Sequence, residues 1–173
     1  INSSNTGGLI GYQENYVVAD SQYITGTVTG MSSVGGLIGY ADSNAVIKGS
    51  STSRPVIGTY DYVGGLVGKL AGTIQASDNI GNLPSTNGGN GANYSYAAGS
   101  VTGRNDVGGL VGRLEGSTLN NSWASGNVTG STWVGGLVVY ANSATISNTS
   151  AAGNVVARYD YAGGLVGKQV SGS

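Results

Sequence analysis

The sequence predicts an all-β protein: a β-solenoid (β-helix) of about six coils, with a period near 28 residues and three short strands per coil. Three observations predict it. A glycine motif returns in register along the chain, short β-branched segments alternate with Gly, Asn, Asp and Ser, and no stretch carries apolar residues at helical spacing with caps.

The motif comes first. Thr6-Gly7-Gly8-Leu9-Ile10-Gly11 returns as Val34-Gly35-Gly36-Leu37-Ile38-Gly39, Val63-Gly64-Gly65-Leu66-Val67-Gly68, Val107-Gly108-Gly109-Leu110-Val111-Gly112, Val134-Gly135-Gly136-Leu137-Val138-Val139 and Ala162-Gly163-Gly164-Leu165-Val166-Gly167. Successive first glycines stand 28, 29, 44, 27 and 28 residues apart. A single coil of this length cannot bury its own aliphatic side chains, whereas stacked coils place each Leu over the one below. Leu9, Leu37, Leu66, Leu110, Leu137 and Leu165 are therefore the expected structural core. The paired glycines are expected either to have positive φ or to lie where a Cβ would strike the neighbouring coil.

Two further segments complete the period. An aliphatic column, Val18, Ile47, Ile74, Leu119 and Ile146, is followed three residues later by Ser21, Ser50, Ser77, Ser122 and Thr149. A Gly-x-Val-x pattern then supplies Val28, Val101, Val128 and Val155, with Val56 in the same place. Strict alternation within Val34-Gly35-Gly36-Leu37-Ile38 would send Leu37 to the face opposite Val34 and Ile38, although all three columns are apolar. Either the glycines form a bulge that turns Val34 and Leu37 inward together, or the Leu37 and Ile38 columns face two packed layers; the bulge is favoured.

The whole chain, 1–173, reads as one solenoid domain with a loop insertion at about 76–92 that accounts for the long interval. Ser95-Tyr96-Ala97-Ala98-Gly99-Ser100-Val101 aligns with Ser122-Trp123-Ala124-Ser125-Gly126-Asn127-Val128, so the coil is expected to resume in register. Such a loop is either a tolerated surface insertion or a contact loop. The chain opens at Ile1 without Met, which fits a processed chain or a piece of something longer.

Composition narrows the function classes. Charged residues make up 9% of the chain, the net charge is −1, and the 7 Lys and Arg residues are scattered singly. No basic stripe exists to hold a phosphate backbone, so no nucleic-acid partner is expected. No apolar run reaches the roughly 18 residues of a spanning helix, so no membrane insertion by this segment is expected. His and Cys are absent, which removes Ser-His-Asp and Cys-His arrangements and the usual zinc ligand sets. Eight carboxylates remain. Asp61, Asp106 and Asp160 fall just before the glycine pair, where turn chemistry accounts for them; catalysis and calcium binding are the weaker alternatives. The expectation is a protein without enzymatic activity, catalytic residues, cofactor or metal site.

The residue after each Leu-Val-Gly defines a candidate binding strip: Tyr12, Tyr40, Lys69, Arg113, Tyr140 and Lys168, with Trp133 beside it. Around the glycine pair also sit Tyr60, Tyr62, Tyr159 and Tyr161. Aromatics at coil spacing either strengthen neighbouring coils or form a sticky strip for glycan or protein.

The V-G-G-L-[IV]-G element, with its following I-x-x-S and G-x-V-x-G, resembles the GLUG motif, a short repeat of bacterial surface proteins that include large adhesins and secreted immunoglobulin-degrading proteases. Val139 in place of the closing Gly, Ala162 in place of the leading Val and the segment Thr52-Ser53-Arg54-Pro55 depart from the pattern. The resemblance implies an extracellular or cell-surface β-solenoid module, accessory to some other activity, and transfers no catalytic residues. On this reading the chain is a structural or adhesive element, a stalk or filament subunit, whose candidate partners are a second copy stacked head to tail or a host or matrix protein or glycan. The alternatives are an ice-binding solenoid, drawn from Thr25, Thr27 and Thr29 but weakened by Ile57 and Val156 in the same rank, and a glycan-binding module accessory to a secreted enzyme.

Overall fold

The computed structural model describes residues 3–19, 21–23, 25–75 and 95–170. Over these residues the chain is all β, without helix, and winds as a solenoid whose coils pair in parallel through every ladder. One coil shows the plan. Val34–Gly35, Ile38–Ala41, Val46–Lys48 with Ser51–Thr52, and Val56–Gly58 follow one another before the next coil starts at Val63–Gly64. Stacked over the length of the molecule, these strands form sheets of 6, 6, 8 and 5 strands.

There are thus four ladders per coil where the sequence showed three apolar-centred segments, because the repeated motif itself bends and contributes two. The bend lies at Gly36 and Leu37, between the strands Val34–Gly35 and Ile38–Ala41. Its hydrogen bonding is that of a bulge: the consecutive amides of Leu37 and Ile38 both donate to the carbonyl of Leu66, at 3.0 and 3.1 Å. Leu66 and Val67 repeat this on Leu110, and Leu137 and Val138 on Leu165. The bulge is present, but it brings together a different pair from the one expected. Leu37 and Ile38 enter one core, whereas Val34 packs in a second, separate core.

The larger core is built from the Leu column, the following Ile or Val, and Ile47, Leu70, Ile74, Leu114 and Leu119. The smaller holds two rows of valine: Val28, Val56, Val101 and Val128 from one ladder against Val34, Val63, Val107 and Val134 from another. Leu37, Leu66, Leu110 and Leu137 are fully buried, as a core column must be. Leu9 and Leu165 are not: they are 51% and 39% exposed. Both keep their place in the column through backbone bonds, Leu9 N–H to Leu37 O and Leu137 N–H to Leu165 O, but each is covered from one side only. Burial of this column requires a coil on both sides.

Close approach, rather than positive φ, explains the paired glycines. None of them has positive φ, whereas a Cβ on Gly109 would overlap the carbonyl oxygen of Gly136 in the next coil. The closing glycine of the motif has a related reason. A Cβ on Gly39, Gly68 or Gly112 would strike the carbonyl carbon of Asn5, Ser33 or Tyr62 in the coil before, and those three residues all have positive φ. Asp106, the next in that column, does not have positive φ, and it is the coil after Asp106 that carries Val139. The departure from glycine at Val139 therefore coincides with a change in the backbone it faces.

The expected insertion at 76–92 lies outside the described residues. On its two sides, Thr73–Gln75 pairs with Val46–Lys48 and Ser95–Ala97 pairs with Ser122, Trp123 and Ala124, so the coil resumes in register. Ser77 of the expected hydroxyl column lies outside the described residues; Ser95 stands in that column, its Oγ accepting from the Ser50 amide at 3.3 Å.

Candidate functional site

The strip residues lie in one column along the second ladder. Tyr12 opposes Tyr40, Tyr40 opposes Lys69, Lys69 opposes Arg113, Arg113 opposes Tyr140, and Tyr140 opposes Lys168. Ring and cation–ring contacts join four of these five neighbouring pairs. Tyr12 and Tyr40 meet edge to face at 5.1 Å between ring centroids, Lys69 Nζ stands 5.1 Å from the Tyr40 ring centroid, and the Arg113 guanidinium stands 4.7 Å from that of Tyr140. Trp133 joins from the adjacent corner, with Lys168 Nζ 4.3 Å from its ring centroid and Tyr140 at 6.4 Å. Cation–π and ring contacts of this kind each add a fraction of a kcal/mol to about 1 kcal/mol when partly exposed. The strip is a continuous half-buried surface, with Tyr12 its most open ring.

Lys69 directly opposite Arg113 would be destabilising alone, since like charges across a ladder repel. Glu115 offsets this. Its Oε1 accepts from Arg113 Nε at 2.7 Å and Nη2 at 2.5 Å, and its Oε2 lies 3.5 Å from Lys69 Nζ. Partial burial raises the carboxyl pKa, but the hydrogen bond from Arg113 and the charges of Arg113 and Lys69 outweigh it and leave Glu115 below the usual glutamate value. Arg113 also donates from Nη1 to the Tyr62 hydroxyl at 3.1 Å. Glu115 was absent from the sequence-derived strip, although its position two residues beyond Arg113 on one strand places both on the same side.

A second column runs beside the strip at the corner preceding the glycine pair. Backbone bonds from Val34 to Tyr62, Val63 to Asp106, Val107 to Trp133 and Val134 to Tyr161 set Asp106 between Tyr62 and Trp133 in successive coils. The neighbouring corner positions also bond across coils: Asn105 Nδ2 donates to Asp61 Oδ1 at 2.6 Å, and Thr132 Oγ1 donates to Asn105 Oδ1 at 3.3 Å. Together Asp61, Asn105, Asp106, Thr132 and Trp133 line an open cleft of about 360 Å³.

Asp106 is the unusual group. It is 5% exposed, and its Oδ1 has no hydrogen-bond partner. Burial, and then the nearby Asp61 charge, push its pKa up to about 6, against the opposing pull of Arg113 and Lys168. All three acids expected at turns do lie at corners, but they differ: Asp160 is exposed, Asp61 is half-buried and bonded across coils, and Asp106 is buried. No group of three or more Asp or Glu residues able to hold a metal ion occurs among the described residues.

Two other columns complete the surface. Tyr96 and Trp123 stack in parallel at 4.9 Å and 10° on the third ladder, a pair the sequence-derived strip did not include. On the fourth ladder Thr29, Ile57, Thr102, Thr129 and Val156 stand in register, so the aliphatic interruptions of the Thr rank are real neighbours in space.

The fold and its lateral columns define a parallel β-solenoid repeat protein. Within it, residues 103–129, one full coil starting just after the fourth ladder, match the family described as the GLUG motif, which is consistent with a GLUG-motif repeat protein. Comparison with curated proteins and with solved structures finds no match.

Proposed function

We propose that the chain is a non-catalytic structural and adhesive module of an extracellular or cell-surface protein, a rigid rod that presents the strip from Tyr12 to Lys168 to a partner. The observation that carries this reading is the registered column itself: aromatic and cationic side chains line one side of the solenoid over its whole described length. Residues of these types dominate the energetics of protein and glycan interfaces. A host or matrix surface is the partner for which such a strip is suited, because repeated contacts along a rod add by avidity. The double substitution Tyr40→Ala with Tyr140→Ala tests it: attachment to cells or to an extracellular-matrix coating falls at least tenfold while the circular dichroism spectrum stays that of a β protein. Unchanged attachment by a folded double variant ends the adhesive reading.

Self-stacking is the second reading, favoured by the exposed apolar residues of the two end coils, Leu9 and Val17 at one and Tyr161 and Leu165 at the other. These are the residues a further coil would cover, and a second copy stacked head to tail supplies one. Electron microscopy of the purified chain at high concentration then reveals filaments; short monodisperse particles reject self-assembly.

A further inference from the structure

The strip leaves the cleft beside it unused. Its lining has a defined chemistry: a buried carboxylate oxygen without a partner (Asp106 Oδ1), a second carboxylate (Asp61), an amide and a hydroxyl already bonded to one another (Asn105, Thr132) and an indole (Trp133). A buried acceptor left unbonded is costly, and such groups in folded proteins usually meet a ligand or an ordered water.

We propose that this cleft binds a neutral saccharide unit, whose hydroxyls donate to Asp106 and Asp61 and whose C–H face packs on Trp133. The inference deepens the adhesive reading and rests on it for its biological sense; the cleft shares Trp133 with the strip, and Asp106 and Thr132, which belong to the cleft alone, tell the two apart.

Charge selects the ligand class. An anion is disfavoured by the two carboxylates. A cation is disfavoured by Arg113 and Lys168, whose charges act on Asp106 and already oppose its elevated pKa. Lys168 in addition occupies one approach to Trp133, with Nζ 4.3 Å from the ring centroid. A neutral hydroxyl satisfies the free oxygen without adding net charge, and the indole supplies the apolar wall that a polyol without a ring face would not use. The open cleft, about 360 Å³ and lined by five residues, offers contacts enough for one or two sugar rings. The cleft also crosses coils: Asp61, Asp106 with Asn105, and Trp133 with Thr132 come from three successive corners, so it exists only where coils stack.

The test uses the methyl glycosides of glucose, galactose, mannose and N-acetylglucosamine as probes, with glucuronate, glucosamine and calcium chloride as charged comparisons. Isothermal titration of the unaltered 173-residue chain is paired with tryptophan fluorescence in a Trp123→Phe background, which leaves Trp133 as the reporter. At least one neutral glycoside saturates a single site and changes the Trp133 emission, and the charged probes bind at least tenfold more weakly. Asp106→Asn weakens the glycoside at least tenfold, about 1.4 kcal/mol, and Thr132→Val weakens it several-fold. The second variant keeps the test decisive should the first fail to fold. Absence of saturation by every neutral glycoside, tighter binding of calcium, or undiminished binding in a folded Asp106→Asn or Thr132→Val variant overturns the proposal. Sugar binding by the unaltered chain, together with unchanged cell attachment by the folded strip variant, would instead remove the adhesive reading alone.

Discussion

The fifth and last copies of the motif carry the same Gly-Gly-Leu at the same place in the coil, yet the structure uses them differently. A Cβ on Gly136 would overlap the carbonyl oxygen of Gly164 in the following coil, whereas a Cβ on Gly164 meets nothing within 4 Å. Leu137 is fully buried, and Leu165, directly above it, is more than a third exposed. The residues are identical, so the neighbour makes the difference. In a solenoid the requirement for glycine or for an aliphatic side chain belongs to the junction between two coils, and sequence identity among repeats overstates how alike their energetics are.

The sharpest way to break this comparison is to make one substitution in both places. Gly136→Ala forces two backbones apart along a ladder, with a loss of about 3 kcal/mol or more, or failure to fold. Gly164→Ala changes stability by no more than about 0.5 kcal/mol, the range of an unconstrained surface position. Chemical denaturation of both variants in the 173-residue chain checks the contrast. Equal losses would mean that the glycines serve the local bend and not the approach of the next coil.

The same logic marks what could be read in advance. The Leu column, the strip and the return to register at Ser95 are sums over identical spacings, and they were legible because a period near 28 residues aligns them without geometry. The cleft was not. Between Gly58 and Val63 the corner is Thr59-Tyr60-Asp61-Tyr62, but between Gly103 and Val107 it is Arg104-Asn105-Asp106, one residue shorter. Asp61 therefore bonds to Asn105, and Asp106 falls in the column of Tyr62 and Trp133. Grouping the three acids as one class of turn residue hides this: the shorter corner moves Asp106 into the covered column, while Asp61 and Asp160, in corners of equal length, differ because Asp160 lies in the last described coil. The bulge was equally beyond strict alternation, because two adjacent amides sharing the Leu66 carbonyl put Leu37 and Ile38 into one core.

Asp106 and Asp160 extend the comparison to charge, with a smaller expected effect. Asp106 sits in a covered corner, where burial and then Asp61 raise its pKa to about 6, with Arg113 and Lys168 opposing; Asp160 belongs to the last coil and is exposed. A carboxyl whose folded-state pKa exceeds its unfolded value holds its proton more tightly in the folded chain. Its contribution to stability is therefore complete below the ordinary Asp value of 3.8 and is lost as pH rises through about 6. The shift corresponds to a ceiling of about 3 kcal/mol, and the opening of the cleft to water reduces this to roughly 1–2 kcal/mol. The melting temperature of the native chain then falls between pH 5 and pH 7, all other acids being equal, and Asp106→Asn removes that fall and is the more stable protein at pH 8. Asp160→Asn is the control and leaves the fall in place. A profile unchanged by Asp106→Asn would mean that the carboxylate is better solvated in its corner than its 5% exposure implies, and that a covering coil does not set its protonation.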